Sequence, residues 1–567
     1  MDIRQRYEQW LASVEDEDRG ELELLEQNEE ALENAFYRDL AFGTGGLRGI
    51  IGMGPNRMNV YTVAKATQGL ADYLNANFAQ PSVAIARDSR NKGEAFCQVA
   101  AGVLAANGVR AYLYPRIEPT PALSFAVRDL GCSAGICMTA SHNPAEYNGY
   151  KVYGPDGCQI TTQAAAAIQQ AIDAVDVFGG VKRIAFEEAL QQGMASWIDD
   201  AVLERFLDGC QAASVGGGAG ELKIVYTPLH GTGLECVLAI LKRIGVHDVV
   251  IEPAQAVADG NFPTCPYPNP EIREALERGL ALAAREQADL LLATDPDADR
   301  VGIAVVKGGE PVLLTGNEVG ILLVDYMCEM LASRGEDLHN KVVVTTIVSS
   351  AMADALAEHR GFELRRTLTG FKFIGEQIGL LEAAGEAERF LFGFEESYGY
   401  LAGTHVRDKD AVVASMLICE MTRWYRSRGM DLVDAMQALY ERYGYFKNSL
   451  LTLAYPGASG EAKMAQILAK LRDEQPDEIA GLAVEECIDY AQGAAMPITG
   501  GRSDAGDQML PPANVLEFKL AGGNKVIVRP SGTEPKVKGY LFARAEDAAS
   551  ADALLSKLED AAREMLG

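Results

Sequence analysis

Lys341-Val-Val-Val-Thr-Thr346, followed after a short gap by Ala351-Met-Ala-Asp-Ala-Leu-Ala357, is the pattern on which the fold turns. A run of β-branched residues leads through a loop into an alanine- and leucine-rich helical stretch, which predicts an α/β unit. The same progression starts at Ser82-Val-Ala-Ile-Ala86 and at Leu222-Lys-Ile-Val-Tyr226. Three such starts predict three related mixed α/β domains. Beyond Tyr455-Pro-Gly-Ala-Ser-Gly460 the order changes to a helix over Glu461 to Leu471, short strands around Val515 to Lys519 and Asn524 to Val528, and a terminal helix from Ala545. Strands and helices no longer alternate, which predicts a smaller C-terminal α+β domain. The 567 residues exceed the roughly 250–300 that one core serves. The expected division is 1–214, 215–325, 326–448 and 449–567, with Ser214-Val-Gly-Gly-Gly-Ala-Gly220 as a linker. Residues 1–40 read as acidic amphipathic helix, with Trp10, Leu11, Leu22, Leu24 and Leu25 at packing positions.

The net charge of −29 and pI near 4.7 argue against nucleic acid and anionic membranes as partners. An enzyme for a phosphorylated metabolite would have to gather its basic residues locally. None of the 10 cysteines forms a C-x-x-C pair, and no Cys/His cluster has zinc spacing in the sequence. They read as scattered free thiols of a reducing compartment. The N-terminal stretch has no apolar signal core and no later run has 18 apolar residues, so the expected location is the cytoplasm.

Cys132-Ser-Ala-Gly-Ile-Cys-Met138 reads as a buried strand ending in the loop Thr139-Ala-Ser-His-Asn-Pro-Ala-Glu-Tyr-Asn-Gly-Tyr-Lys151. Ser141 is flanked by His142, with Lys151 downstream, and a strand-end loop is where α/β proteins place chemistry. A serine nucleophile needs a base or must arrive phosphorylated; the alternative is an ordinary Ser-His-Asn-Pro turn. No G-x-S-x-G surrounds Ser141, so it is not a hydrolase elbow. Ala288 to Thr294 reads as a strand that enters Asp295-Pro-Asp-Ala-Asp-Arg300 and leaves as a second strand, Val301 to Val306. Three carboxylates at i, i+2 and i+4 are expected on one side of an extended segment, where their mutual repulsion calls for a cation. Oxygen-only ligands suit Mg²⁺. An EF-hand is excluded by Arg300 and Val306 at its sixth and twelfth positions, and a D-x-D-x-T/V phosphatase loop fits badly, with Asp299 where Thr or Val is needed.

Further loops carry anion-binding chemistry. Gly43-Thr-Gly-Gly-Leu-Arg-Gly49 lacks the Lys-Ser/Thr of a nucleotide loop and reads as a backbone nest carrying Arg48. Arg529-Pro-Ser-Gly-Thr-Glu-Pro-Lys536 combines an arginine, two hydroxyls and a glycine turn suited to a phosphate dianion. Gly393-Phe-Glu-Glu-Ser-Tyr-Gly-Tyr400 sets carboxylates and a hydroxyl between glycines, as a grip on sugar hydroxyls would require. Thr369-Gly-Phe-Lys-Phe373 and Arg407-Asp-Lys-Asp410 add cations. Arg48, Lys151, Arg300, Lys372, Arg407, Lys409, Arg529, Lys536 and Lys538 thus form the local basic set that an acidic chain would need.

T-A-S-H-N-P, D-P-D-A-D-R, G-F-E-E-S and R-P-S-G-T-E-P, in this order over nearly the whole chain, resemble the α-D-phosphohexomutases of the phosphoglucomutase/phosphomannomutase type. The resemblance implies four domains around a deep central cleft and a phosphosugar mutase that interconverts hexose 1-phosphate and hexose 6-phosphate, glucose first. It implies a phosphoserine at Ser141 and one Mg²⁺ held by Asp295, Asp297, Asp299 and a serine-phosphate oxygen. It also implies a sugar 1,6-bisphosphate as activator and intermediate. Glu395 and Ser397 would contact sugar hydroxyls, with Thr369 and Gly370 beside the substrate. Arg529, Ser531, Gly532 and Thr533 would hold the non-reacting phosphate. Arg48, His142, Lys151, Arg300 and Lys409 would surround the transferring group, with Lys151, His142 and Arg48 as alternatives for the general acid/base. Implied partners are small-molecule sugar phosphates, not nucleic acid or membrane, for a monomer or small homo-oligomer. Many relatives have glycines in the metal loop; with Ser-Tyr-Gly-Tyr in the sugar loop, this one is similar to the branch that includes phosphoglucomutase-2-like enzymes, some of which prefer pentose phosphates. Mannose or pentose phosphate substrates, a phosphatase using the same serine and metal, and a non-catalytic sugar-phosphate sensor are the alternatives.

Overall fold

The computed structural model describes residues 2–43, 45–218, 220–455, 458–501, 508–531 and 536–567. The chain divides into two compact units, one of residues 1–214, 221–313 and 399–419, the other of 215–220, 314–398 and 420–567.

The first unit contains two sheets. In one, the strands run in the order Gly46–Ile50, Tyr147–Tyr153, Ala134–Met138, Ser82–Arg87, Arg110–Leu113 and Ala195–Trp197. The last four are mutually parallel, and the first two close one edge antiparallel. All five residues of Ala134–Met138 are buried, as expected of a parallel strand covered on both faces. The helix Val60–Asn77 begins at Asn59, whose side chain accepts from Tyr61 and Thr62 amides while Thr62 returns a bond to Asn59, a reciprocal cap. The second sheet runs Glu310–Leu314, Val301–Lys307, Leu290–Thr294, Lys223–Thr227, Asp248–Ile251, with a parallel centre and Val301–Lys307 antiparallel.

Two expectations change here. The N-terminal 40 residues form three helices, Ile3–Ser13, Asp16–Leu25 and Glu29–Phe36; the last begins where the Asn28 side chain accepts from the Ala31 amide at 3.1 Å. They close on a core containing Tyr7, Trp10, Leu22 and Phe36, whereas Leu24 is 67% exposed. The glycine-rich segment Gly43–Gly49 becomes an edge strand from Gly46, with Arg48 opposite Gly149. Gly46 sits so close to the Tyr150 carbonyl that a Cβ would collide with it.

In the second unit, Phe390–Glu395, Val342–Thr346 and Glu363–Thr367 are parallel neighbours, and Ile498–Thr499 adds an antiparallel edge. The C-terminal part is a six-stranded antiparallel sheet in the order Tyr445–Ala454, Lys536–Ala545, Asn524–Pro530, Leu516–Leu520, Leu482–Asp489, Glu478–Ile479. The helices Ala458–Asp473 and Ala548–Leu566 cover it through Leu468 and Leu558, which share a core with Phe518, Val526 and Leu541. The ten-residue strands Tyr445–Ala454 and Lys536–Ala545, missed in the sequence reading, are its longest pair. The expected linker is closely packed. Tyr326 donates to the Gly216 carbonyl, Arg334 to that of Val215, and Gly218 abuts the Arg423–Trp424 backbone with φ 63°. Glycine is required there for close approach and for the left-handed backbone. The break at Pro456 and Gly457 lies outside the described residues.

Gly69 tests the helix packing. A Cβ there would lie 2.6 Å from the Ile172 amide nitrogen and 2.7 Å from its Cα, on the helix Thr162–Asp173. Alanine is the better helix former by about 1 kcal/mol, but forced overpacking costs about 1–3 kcal/mol and backbone cannot rotate away. Gly69→Ala is therefore expected to lower the thermal unfolding midpoint by a few degrees; an unchanged or raised midpoint by calorimetry would contradict this packing.

Candidate active site

Adjacent parallel strands deliver their following loops to the same sheet edge. Ser82–Arg87 and Ala134–Met138 are such neighbours, so the residues after Arg87 meet those after Met138. Thr139 Oγ1 donates to Asp88 Oδ2 at 2.6 Å and accepts from the Ser141 amide at 2.8 Å. Ser141 adopts φ 52° and is buried. This sparsely populated conformation is held from behind by Arg90. Its guanidinium donates to the Ser141 carbonyl, to Asn143 O at 2.5 Å, to Pro144 O at 2.8 Å and to Tyr147 O at 2.9 Å. It also packs 5.0 Å from the Phe262 ring centroid and 3.4 Å from Asp88 Oδ2. Burial lifts the Asp88 carboxyl to about 6, against the pull of Arg90.

The acidic segment is a tight turn, not the extended stretch expected. The Ala298 amide donates to Asp295 O at 2.9 Å, and Ala298 has φ 49°. Folding back brings the carboxylate oxygens of Asp295, Asp297 and Asp299 within 4.8 Å of one another, all buried. Asp295 Oδ1 accepts from the amides of Asp299 and Arg300 at 3.1 and 3.0 Å, and its Oδ2 accepts from Ser141 Oγ at 2.8 Å. Asp297 Oδ2 accepts from Lys151 Nζ at 2.8 Å and Thr120 Oγ1 at 3.0 Å. Asp299 Oδ2 lies 3.5 Å from Lys151 Nζ and 3.3 Å from Lys409 Nζ. Asp297 Oδ1 and Asp299 Oδ1 are buried with no hydrogen-bond partner among the described residues. A buried carboxylate oxygen in that position suits a cation.

Charge sets the protonation of the group. Burial, with the Asp299 and Asp297 carboxylates beside it, raises Asp295 well above the usual carboxylate range. Burial also acts on Asp297, but the Lys151 ammonium outweighs it and holds that carboxyl down. Lys151 is raised despite burial, through Asp297 and Asp299. Burial, with the Arg300 and Arg48 guanidiniums, pushes His142 far below its ordinary value, so the imidazole is neutral near pH 7. Its Nδ1 lies 3.1 Å from Ser141 Oγ.

The structure thus brings Ser141, His142, Lys151, the three aspartates and Lys409 together, with Arg48 and Arg300 near enough to act on His142. Lys151 comes from the middle of the strand Tyr147–Tyr153, not from a loop. Arg300 Nη1 pairs with Glu271 Oε1 at 2.5 Å. Arg407 lies elsewhere: it is buried, donating to the Thr404 and Val406 carbonyls. Asp88, Arg90, Thr120 and Glu271 were not singled out from the sequence. The signal available for the first two was their place directly after a parallel strand.

The second unit gathers the rest. Glu395 is buried at the end of its strand, and Ser397 is half-buried beyond it. Glu396 Oε2 accepts from Thr346 Oγ1 at 3.1 Å and Ser349 Oγ at 3.4 Å. Thr369 is half-buried, and Gly370, φ 118°, precedes the helix Phe371–Ala383. Arg529 pairs in register with Lys538. Around Tyr540, burial and Glu396 raise the phenol, Arg529 lowers it, and Glu395 adds to the rise, so all three side chains lie within electrostatic reach of that ring. The Ser531 amide donates to Lys536 O at 2.7 Å, while Gly532 and Thr533 lie outside the described residues.

Comparison with known proteins identifies the domains that carry these residues. The chain matches domains I, II and III of the phosphoglucomutase/phosphomannomutase alpha/beta/alpha series over residues 39–177, 204–308 and 315–443. It is 36% identical to a phosphoglucomutase of Staphylococcus saprophyticus, covering 92% of this chain and 93% of the relative. It is 35% identical to one of Staphylococcus epidermidis, covering 94% and 96%. Solved structures share the fold. A phosphoglucomutase/phosphomannomutase family protein of Burkholderia thailandensis superposes with a TM-score of 0.66 at 19% identity, over 93% of this chain and 96% of that one. The parafusin phosphoglucomutase of Paramecium superposes with 0.67 at 16%, over 93% and 95%. With three domain matches in order and relatives similar over more than nine-tenths of their length, the chain belongs to the phosphoglucomutase/phosphomannomutase family.

Proposed function

We propose that this protein is a phosphoglucomutase, an isomerase that interconverts α-D-glucose 1-phosphate and glucose 6-phosphate through a phosphorylated Ser141. The observation that carries the reading is the Ser141 hydroxyl, 2.8 Å from Asp295 inside a buried triad of carboxylates ringed by cations. Similarity to phosphoglucomutases over more than nine-tenths of the chain supports glucose as the sugar.

Mg²⁺ fits the triad: all donors are carboxylate oxygens, and two of these are buried without hydrogen-bond partners among the described residues. When bound there, the ion supplies positive charge against the carboxylates and the transferring phosphoryl group. Asp295, Asp297 and Asp299 would hold it together with an oxygen of the serine phosphate.

Phosphoserine 141 passes its phosphoryl group to the free hydroxyl of a sugar monophosphate, and the P–O bond to Ser141 breaks as the bond to the sugar oxygen forms. The sugar hydroxyl gives up its proton. The resulting bisphosphate reorients and returns its other phosphoryl group to Ser141. Lys151, Lys409 and Arg300 stabilise charge on the moving group. His142, within hydrogen-bond reach of Ser141 Oγ, is assigned the proton, and Lys151, paired to Asp297, the charge. Arg48 belongs to the same set. Glu395 and Ser397 take sugar hydroxyls, with Thr369 and Gly370 beside them, and Arg529, Ser531, Gly532 and Thr533 take the non-reacting phosphate. These roles match a division of the chain at 1–214, 215–325, 326–448 and 449–567. Arg90 is assigned a positioning role, since it fixes four carbonyls of the nucleophile loop.

A coupled assay on glucose 1-phosphate with Mg²⁺ and a trace of glucose 1,6-bisphosphate is expected to yield glucose 6-phosphate. Ser141→Ala should reduce the rate by more than about 10³-fold. Turnover restricted to ribose 1-phosphate or mannose 1-phosphate would change the substrate and keep the mechanism; steady release of inorganic phosphate without isomerisation would overturn it. Chelation of divalent ions should abolish activity, with recovery on adding Mg²⁺. Arg90→Lys keeps the charge but loses the fork that reaches several carbonyls, so kcat is expected to fall by roughly 10²-fold with KM little changed. An unaltered kcat in the folded variant would remove Arg90 from the account.

A further inference from the structure

A second convergence of ligating atoms lies in the first unit, on the segment whose Ala411 amide donates to the Ala298 carbonyl of the acidic turn at 3.2 Å. Cys210 sits near the end of the helix Asp200–Ala212, His405 in the loop before Arg407, and Asp410 immediately before the helix Ala411–Arg426. Cys210 Sγ is 3.5 Å from His405 Nε2 and 3.4 Å from Asp410 Oδ2, and His405 Nε2 is 3.0 Å from Asp410 Oδ2. A tetrahedral Zn²⁺ with bonds of about 2.3 Å to sulfur and 2.0–2.1 Å to nitrogen and oxygen has edges of roughly 3.3–3.5 Å. The three observed separations form nearly such a face.

Asp410 is also held by its second oxygen, and His405 by packing. Asp410 Oδ1 accepts from the amides of Val412 and Val413 at 2.8 and 3.1 Å, which leaves Oδ2 directed at the cluster. The His405 ring lies 5.9 Å from that of Phe206. It rests over Gly209, where a Cβ would come within 2.8 Å of the His405 Cβ. Such support orients ligands before an ion arrives. Cys210 and Asp410 are buried, while the His405 side chain remains 8% exposed, so the cluster lies directly beneath the surface.

We propose that Cys210, His405 and Asp410 form a binding site for a thiophilic divalent ion of the Zn²⁺ class, distinct from the carboxylate triad. A thiolate and a carboxylate balance the charge of one such ion. Binding forms a metal–sulfur bond, and the thiol proton leaves to solvent. Sulfur and imidazole donors select against Mg²⁺, so the two sites take different metals. The ion would act as a clamp. His405 and Asp410 bracket Asp408, which accepts from Tyr153 at 2.8 Å, and Lys409, which reaches Asp299. Fixing both ends of this stretch to Cys210 fixes the approach of Lys409 to the acidic turn.

The test uses the full-length protein, stripped of metal by chelation and titrated with Co²⁺ under saturating Mg²⁺. One equivalent of Co²⁺ is expected to produce a near-ultraviolet thiolate-to-cobalt charge-transfer band, which the all-oxygen triad cannot give, and Zn²⁺ should bleach it. The band should vanish in Cys210→Ser, and folded His405→Gln should bind Co²⁺ at least about tenfold more weakly. Absence of the band from the native chain, its survival in Cys210→Ser, or unchanged affinity in His405→Gln would overturn the assignment.

Discussion

Three carboxylates buried within a single turn are the constraint around which the first unit is organised. Left alone they would repel one another and lose hydration, a cost of several kcal/mol per ion. The chain meets it with fixed partners: backbone amides and the Ser141 hydroxyl on Asp295, Lys151 and Thr120 on Asp297, Lys151 and Lys409 on Asp299. Two oxygens remain without hydrogen-bond partners among the described residues. The same turn that creates the repulsion therefore presents a prepared place for a cation.

This compensation dictates where the other elements end. Lys151 must stand on a strand, because only the antiparallel pairing of Tyr147–Tyr153 with Ala134–Met138 sets Lys151 opposite Cys137 and carries its ammonium to Asp297. Ser141 must turn back with a positive φ, and Arg90 supplies four hydrogen bonds to hold the loop that does so. A positively charged, buried guanidinium behind a loop that faces anions makes the loop rigid without occupying its front.

In the second unit the polar residues are treated differently. Glu396 is committed to Thr346 and Ser349, whereas Glu395 lies buried at a strand end close to Tyr540 and Arg529. Adjacent acidic residues thus have separate surroundings, one tying neighbouring strand ends together and one facing Tyr540.

The residue types at Ser141, at Asp295–Asp299, at Glu395–Ser397 and at Arg529 stood out in the sequence, because each stands in a short run between strand and turn signals. The α/β alternation and the change to a C-terminal α+β part were equally legible, since hydrophobic period and turn residues are local properties. Arg90 and Thr120 were not legible: their partners lie 51 to 57 and 177 residues away, and the place of Arg90 after a strand does not by itself reveal what it binds. Cys210, His405 and Asp410 show the same limit most clearly, for the sequence holds no zinc spacing and yet the three donor atoms meet. Local sequence determined which chemical groups this protein carries and which segments are strands, helices and turns. Only the tertiary structure decided which groups share a buried site, because sheet order and strand register set distances between residues far apart in the chain.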